Sequence, residues 1–219
     1  GGDEKAAIKK IAQRGLKASI MAWNRAVISD IEQSIDCGAD AVAISISVSD
    51  IHIEHKLKTS REWVLESMLK SVEYAKKNGV YVSVNGEDAS RADVGFMISL
   101  IKKMKELGVI TIRLADTVGI LDPNRTEKII HEILEQVEVD IEIHAHNDLG
   151  MALANSIAGA KAGAKFVDCT LLGIGERSGN CDLRELISAT KYLFDFQANT
   201  KKIKEAEMML QNILSSEVF

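Results

Sequence analysis

One proline, three cysteines and 5% aromatic residues stand in a chain of 219. Each scarcity excludes something. The cysteines, Cys37, Cys169 and Cys181, are odd in number and show no Cys-x-x-Cys spacing, which argues against a disulfide framework or a cysteine-built zinc site. Long hydrophobic runs are missing too: those around Val42 to Val48 and Leu149 to Ala160 fall short of the ~20 apolar residues a spanning helix needs. The stretch Gly1-Gly2-Asp3-Glu4-Lys5 has no apolar signal region. A cytoplasmic, reducing location without membrane contact is therefore expected. Positive charge is not in excess either. With 27 Lys+Arg against 32 Asp+Glu and a net charge of −5, the counterion release that drives nucleic-acid binding has no clustered basic residues to work through. What is present is ordinary for a packed domain: 46% hydrophobic and 27% charged residues.

Short β-type runs alternate with longer helical patterns, the mark of βα units that build a parallel sheet. Six strands are predicted, at Leu16 to Ala22, Ala41 to Ser49, Val80 to Glu87, Val109 to Thr117, Val139 to His146 and Lys165 to Leu172. Helices are predicted at Asp3 to Arg14, Arg25 to Cys37, Arg61 to Asn78, Asp93 to Leu107, Pro123 to Gln136, Gly150 to Ala162, Asp182 to Phe194 and Lys201 to Leu214. Thr59-Ser60-Arg61-Glu62 reads as a capping box, and Asp122-Pro123 sets an acceptor before a first-turn proline. Gly38, Gly79, Gly108 and Gly163 each end a helix before a strand, where positive φ turns the chain back.

The strands divide their faces. Val42, Ile44, Ile46 and Val48 oppose Ala41, Ala43, Ser45, Ser47 and Ser49, and Ile141 and Ile143 oppose Asp140, Glu142, His144 and His146. A bulky face against helices and a polar face turned inward describe a closed barrel, since an open doubly wound sheet is apolar on both faces. The fold expected is an α/β (β/α)8 TIM barrel, present as an incomplete barrel because six strands are read where eight close it. The first βα unit and the second strand are expected to come from outside these residues or from another chain. Residues 1–194 form the expected barrel and residues 195–219 a helical tail, with Met208, Met209 and Leu210 as its packing stripe.

Chemistry concentrates at the strands' C-terminal ends, where barrels place active sites. His144 and His146, two apart on one strand, share a side, and such a pair can grip one divalent metal; a pair of loop histidines is the plain alternative. The run Gly173-Ile174-Gly175-Glu176-Arg177-Ser178-Gly179-Asn180 follows the last strand and can bring Glu176 and Asn180 over the barrel, or else cradle a phosphate. Glu142 reads as a structural partner of Arg113, and Cys181 as a small buried apolar residue.

These segments resemble a known family, the metal-dependent Claisen-condensing barrels that include the homocitrate, 2-isopropylmalate and citramalate synthases. The resemblance rests on Ser47-Val48-Ser49-Asp50-Ile51-His52, Asn85-Gly86-Glu87-Asp88-Ala89-Ser90-Arg91, Asp116-Thr117-Val118-Gly119, His144-Ala145-His146-Asn147-Asp148 and Gly175-Glu176-Arg177-Ser178-Gly179-Asn180. Ala18-Ser19-Ile20-Met21-Ala22-Trp23-Asn24-Arg25 looks most like the homocitrate synthases that serve nitrogenase cofactor assembly. The resemblance implies an acyltransferase that condenses acetyl-CoA with 2-oxoglutarate to homocitrate and CoA. It implies a divalent ion (Mn, Mg, Zn, Fe or Co) on His144 and His146 with Asn180 nearby, and Glu176 and Glu87 at the catalytic centre. Thr117, Arg113, His52 and Asn85 would meet the substrate. It also implies a homo-oligomer, or a hetero-oligomer with a chain supplying the absent segment. The family's first-strand Arg-Asp-Gly motif does not occur in these residues, Leu172 stands where an asparagine is usual, and Ser83 where lysine-pathway homocitrate synthases carry arginine.

Two other readings compete: a non-catalytic half whose open sheet edge docks a complementary chain, and a barrel lyase or sister synthase built on the same metal pair.

Overall fold

The computed structural model describes residues 2–216. Helix α1 (Gly2–Ala12) precedes six parallel strands: β1 (Met21–Arg25), β2 (Ala41–Ser47), β3 (Tyr81–Glu87), β4 (Thr111–Asp116), β5 (Asp140–Ala145) and β6 (Phe166–Val167). They form one sheet in chain order. Between them run α2 (Ile28–Asp36), the single turn α3 (Asp50–His52) with the wide turn Ile53–Leu57, α4 (Arg61–Lys77), α5 (Val94–Glu106), α6 (Pro123–Gln136) and α7 (Ala152–Lys161). Helices α8 (Leu183–Thr190) and α9 (Thr200–Ser216) follow β6. A parallel sheet that adds each new strand beside the last, with every crossover on one face, is a singly wound α/β barrel wall. Six of its strands are present, so the expected incomplete TIM barrel is the fold observed.

The core lies between sheet and helices. Val42, Ile44 and Ile46 of β2, Val82 and Val84 of β3, Ile112 and Leu114 of β4 and Ile141 of β5 join Val64, Met68 and Val72 of α4, Met97 and Ile101 of α5 and Ile130 and Ile133 of α6. Each such side chain, fully buried, contributes about 1.5–3 kcal/mol. The opposite face holds Ser45, Ser47, Ser83, Asn85, Arg113, Glu142 and His144, so the predicted division of faces sets the inside of the barrel.

Helix starts follow their caps. The Ser60 hydroxyl accepts from Trp63 N–H at 3.3 Å, and the Asp122 carboxylate accepts from Arg125 N–H at 3.0 Å before Pro123. Gly79 and Gly108 take φ of 76° and 75° where chain direction reverses.

Four expectations are corrected. The first strand starts at Met21 rather than Leu16, because β2 begins at Ala41 and pairs with Met21, which leaves residues 16–19 without a ladder partner. Its extended backbone runs through Trp23 to Arg25, so α2 starts at Ile28. The sixth strand is two residues long: after Val167 the chain leaves β5, and Leu171–Gly173 forms a 3-10 turn with Leu172 at φ 59°. In the tail, Met208 and Met209 are exposed, and α9 instead turns Ile203, Ala206, Glu207 and Leu210 inward. Residue 1 of the expected 1–194 unit and residues 217–219 of the expected tail lie outside the described residues. Among the described residues no helix is long and apolar enough to cross a membrane.

Candidate active site

Strand β5 is the spine of the site. Ile141, Ile143 and Ala145 are fully buried on its helix side, which forces Glu142, His144 and the following His146 to the barrel interior. The two Nε2 atoms meet at 3.2 Å. Two imidazoles bound to one tetrahedral Zn²⁺ at about 2.05 Å would hold their nitrogens about 3.3 Å apart, so the spacing fits a shared ion. His146 is 6% exposed, and burial, then the neighbouring His144 and Arg177, hold its imidazole below the ordinary histidine range. The neutral form favoured in this way is the one that ligates metals.

Asn180 arrives from the loop after β6. Its backbone bridges to His146 in antiparallel sense, and Asn147 N–H donates to Gly179 O at 2.9 Å. The Asn180 amide nitrogen donates to Ile174 O at 3.0 Å, while its buried Oδ1 has no partner. A buried acceptor without a donor is costly unless something meets it. Among the described residues no three His, Cys, Asp or Glu side chains form a group that could hold a metal ion; the two imidazoles and, from the backbone bridged to His146, the Asn180 amide oxygen are the donors that this end of β5 offers.

The glycine-rich loop owes its composition to this packing. A Cβ on Gly175 would strike the Asn180 side chain, and Gly179 sits at φ 90° with Gly173 O where its Cβ would be. The amides of Gly179 and Asn180 donate within the loop, to Glu176 O and Gly173 O, both at 2.9 Å. These donors are spent internally, which argues against the phosphate cradle. Arg177 clamps the loop: its guanidinium donates to Asp148 at 2.8 and 2.9 Å and to Thr117 O at 2.7 Å. That bond holds the Asp148 carboxyl below the usual carboxylate range. Glu176 stays largely exposed.

A second group forms where β2 and β3 end. Glu87 contacts Lys56 and lies 3.3 Å from His52 Nδ1, while His52 Nε2 lies 3.2 Å from Arg91. Arg91 also pairs with the buried Asp88 at 2.7 Å, and Ser49 donates to the same carboxylate. Asp88 sits at φ 62°, a conformation Asp tolerates better than most residues. Thr117 Oγ1 accepts from Asp88 N–H at 2.8 Å. Thr117 thus joins both groups, bonded through its hydroxyl to the β3 turn and through its carbonyl to Arg177. Glu87 and His144 share one register row, separated by Ala115 of β4; two strand spacings amount to about 10 Å, room for a small substrate.

Asn85 and Arg113 lie one row deeper. Asn85 donates to Ser45 at 2.7 Å. Arg113 is engaged by Glu142, at 2.6 and 2.9 Å, and by Asp168 at 3.3 Å. Pairing with Glu142 was legible in the sequence; Asp168 was not singled out, although it follows Phe166 at the period-two spacing of the interior face. Asp116 serves the turn, accepting from Ile120 and Leu121 N–H. Cys181 is fully buried beside Ala145, Ala152 and Leu186, an apolar filler as expected.

The sequence profile of the HMGL-like family matches residues 1–210. The chain is 56% identical over 207 residues to 2-isopropylmalate synthase 2 of Caldanaerobacter subterraneus, covering 94% of this chain and 54% of that protein. It is 47% identical over 218 residues to homocitrate synthase subunit alpha of Clostridium pasteurianum, covering 96% and 81%. To (R)-citramalate synthase CimA of Methanocaldococcus jannaschii it is 38% identical over 205 residues, covering 94% and 42%. The chain thus spans about half the length of the first and third of these relatives. Among solved structures, an HMG-CoA lyase of Bacillus subtilis superposes with a TM-score of 0.87 at 18% identity, over 97% of this chain and 76% of that one. An HMG-CoA lyase of Acinetobacter baumannii, in complex with coenzyme A and 3-methylmalate, gives 0.83 at 19% over 97% and 73%. At such identity the likeness concerns the fold.

Proposed function

The chain belongs to the HMGL-like family, and we propose that it forms the catalytic part of an acyltransferase that condenses the acetyl methyl carbon of acetyl-CoA with the oxo carbon of a 2-oxo acid, water then cleaving the thioester to give CoA and a 2-hydroxy acid with one more carboxylate than the acceptor. The observation that carries this reading is the pair of imidazole Nε2 atoms 3.2 Å apart, with Asn180, whose buried amide oxygen has no partner, bridged to His146 through its backbone. A divalent ion held there supplies a Lewis acid for the oxo group. His144 and His146 would give imidazole nitrogens to it, and Asn180 an amide oxygen. Thr117 lies where a substrate carboxylate would meet a hydroxyl, with Arg113 and Asn85 below it. Glu87, with His52 and Lys56 about it, and Glu176 on the loop are the carboxylates of the catalytic centre; loss of an acetyl proton requires a positioned base of this kind.

The preferred acceptor is 2-oxoglutarate, with homocitrate as product and nitrogenase cofactor assembly as its use; the Ala18 to Arg25 segment and the 47% identical relative support it. The 56% identical relative favours a second reading, 2-isopropylmalate formation from 2-oxoisovalerate. A cytoplasmic setting and assembly with copies of itself, or with a chain bringing further barrel strands and an Arg-Asp-Gly segment, belong to the same proposal.

The test is thiol release from acetyl-CoA with Mn²⁺ or Mg²⁺ and each of 2-oxoglutarate, 2-oxoisovalerate and pyruvate. It is run on the chain alone and with a polypeptide carrying the Arg-Asp-Gly segment. Release that depends on 2-oxoglutarate supports the homocitrate reading, and a better rate with another acceptor moves the assignment to a sister synthase. Silence from a folded, metal-loaded complex overturns the catalytic reading. His144→Ala is expected to abolish metal-dependent release while leaving the circular dichroism spectrum intact.

A further inference from the structure

Asp168 follows β6, and its backbone N–H donates to Ile143 O at 2.9 Å, which pins it directly across from His144. Its Oδ2 lies 2.9 Å from His144 Nδ1 and 3.3 Å from Arg113 Nη1. Arg113 is already matched by Glu142 at 2.6 Å, so the trio holds one guanidinium and two carboxylates. The second carboxylate is not needed to neutralise Arg113, and the group left for it to serve is the imidazole. The other His144 nitrogen, Nε2, is the one that faces His146.

Resting on the metal site proposed above, we propose that Asp168 is a positioning residue for that site. It draws the His144 proton onto Nδ1, leaves the Nε2 lone pair free to face the ion, and is itself held by Arg113, which Glu142 holds in turn. A carboxylate behind a ligating histidine fixes the tautomer and ring orientation and raises ligand basicity. Neither Nδ1 makes a hydrogen bond of good angle, but among the described residues only that of His144 has a carboxylate at ion-pair distance, Asp168 Oδ2 at 2.9 Å, so the support is one-sided and falls to His144. Arg113 then acts on the ion through Asp168, in addition to any contact it makes with substrate. Asp168 is well placed for this because its own backbone N–H is bonded to Ile143 of β5, next to the histidine it serves.

The experiment uses the whole chain with Co²⁺ as the probe, titrated by its visible absorption, and nitrogen NMR of the histidine side chains without metal. Asp168→Asn keeps the side chain's size and is expected to raise the Co²⁺ dissociation constant by about 10–100-fold. The same variant is expected to shift His144 from the Nδ1–H toward the Nε2–H tautomer. Asp168→Glu, which retains a carboxylate, is expected to recover part of both. Should Asp168→Asn not fold, Asp168→Glu against wild type carries the comparison through the tautomer ratio. Equal affinities with an unchanged tautomer ratio overturn the proposal. A folded wild type that takes up no Co²⁺ overturns the metal reading, while the tautomer ratio still decides the role of Asp168.

Discussion

At the scale of single residues, the site is a set of side chains whose partners were chosen by distance in space. Arg177 and Asp148 are 29 positions apart, yet the pair fixes the loop that carries Asn180. The Asp148 carboxyl is held below the usual range by that guanidinium. A depressed folded value means that the clamp is fully present above the ordinary carboxylate pKa of about 3.9 and is lost as pH falls through the lowered one. Exchange of the Gly179 and Asn180 amides, corrected for the intrinsic pH dependence, is therefore expected to stay slow at neutral pH and to accelerate only in acid. Arg177→Ala is expected to give fast exchange at pH 7, and unchanged protection in that variant would remove the clamp from the account. His144 and His146 were marked by their spacing and Glu176 and Asn180 by the glycine-rich run that carries them, whereas Glu87 was marked only by the resemblance to the synthases. Asp168 and Lys56 were not, since a single acid or lysine in a strand or turn carries no local signal of what it will touch.

At the scale of elements, β5 and α6 show how little each local rule needs to be supplemented. The Asp122 cap and Pro123 fix the start of α6, and the structure begins it there. The alternation of β5 fixes which side its histidines face. Energetics separate the two signals. Ile141 is fully buried behind the histidine pair, and Ile141→Ala is expected to cost about 2–5 kcal/mol, whereas Asp122→Ala is expected to cost about 1 kcal/mol. Urea denaturation monitored by circular dichroism measures both, and a larger loss from the cap would contradict the assignment of the core to the sheet's helix side. Elements that misled were those whose limits depend on neighbours. Leu16 to Ala22 alternates like a strand, but ladder bonding starts only where β2 does. Likewise the segment Asp50 to Leu57, which brings His52 to Glu87, has no strong period of its own and takes its shape from the Ser49 and Asp88 contacts.

At the scale of the molecule, the proposed division into a 1–194 barrel unit and a tail from residue 195 rests on a narrow attachment. Helix α9 buries Glu207, which meets Arg184 at 2.9 and 3.0 Å, and leaves Met208, Met209 and Ile213 exposed. The connection before it holds Tyr192, 87% exposed, and Leu193. Brief chymotrypsin treatment is expected to cut there first and to leave a fragment that keeps most of the far-ultraviolet signal of the βα units; first cuts within the βα units would refute the division. By itself the sequence determined the alternation of strands and helices, the inward polar face and the histidine pair, because each follows from spacing along the chain: a period of two or 3.6, or a cap beside a helix start. Tertiary structure alone decided the pairings that make those residues a site. Asp168 behind His144, Thr117 between the two groups, and Asn180 against His146 unite positions 24 to 60 residues apart, and only the register of parallel strands and the closure of the loop over them sets such distances.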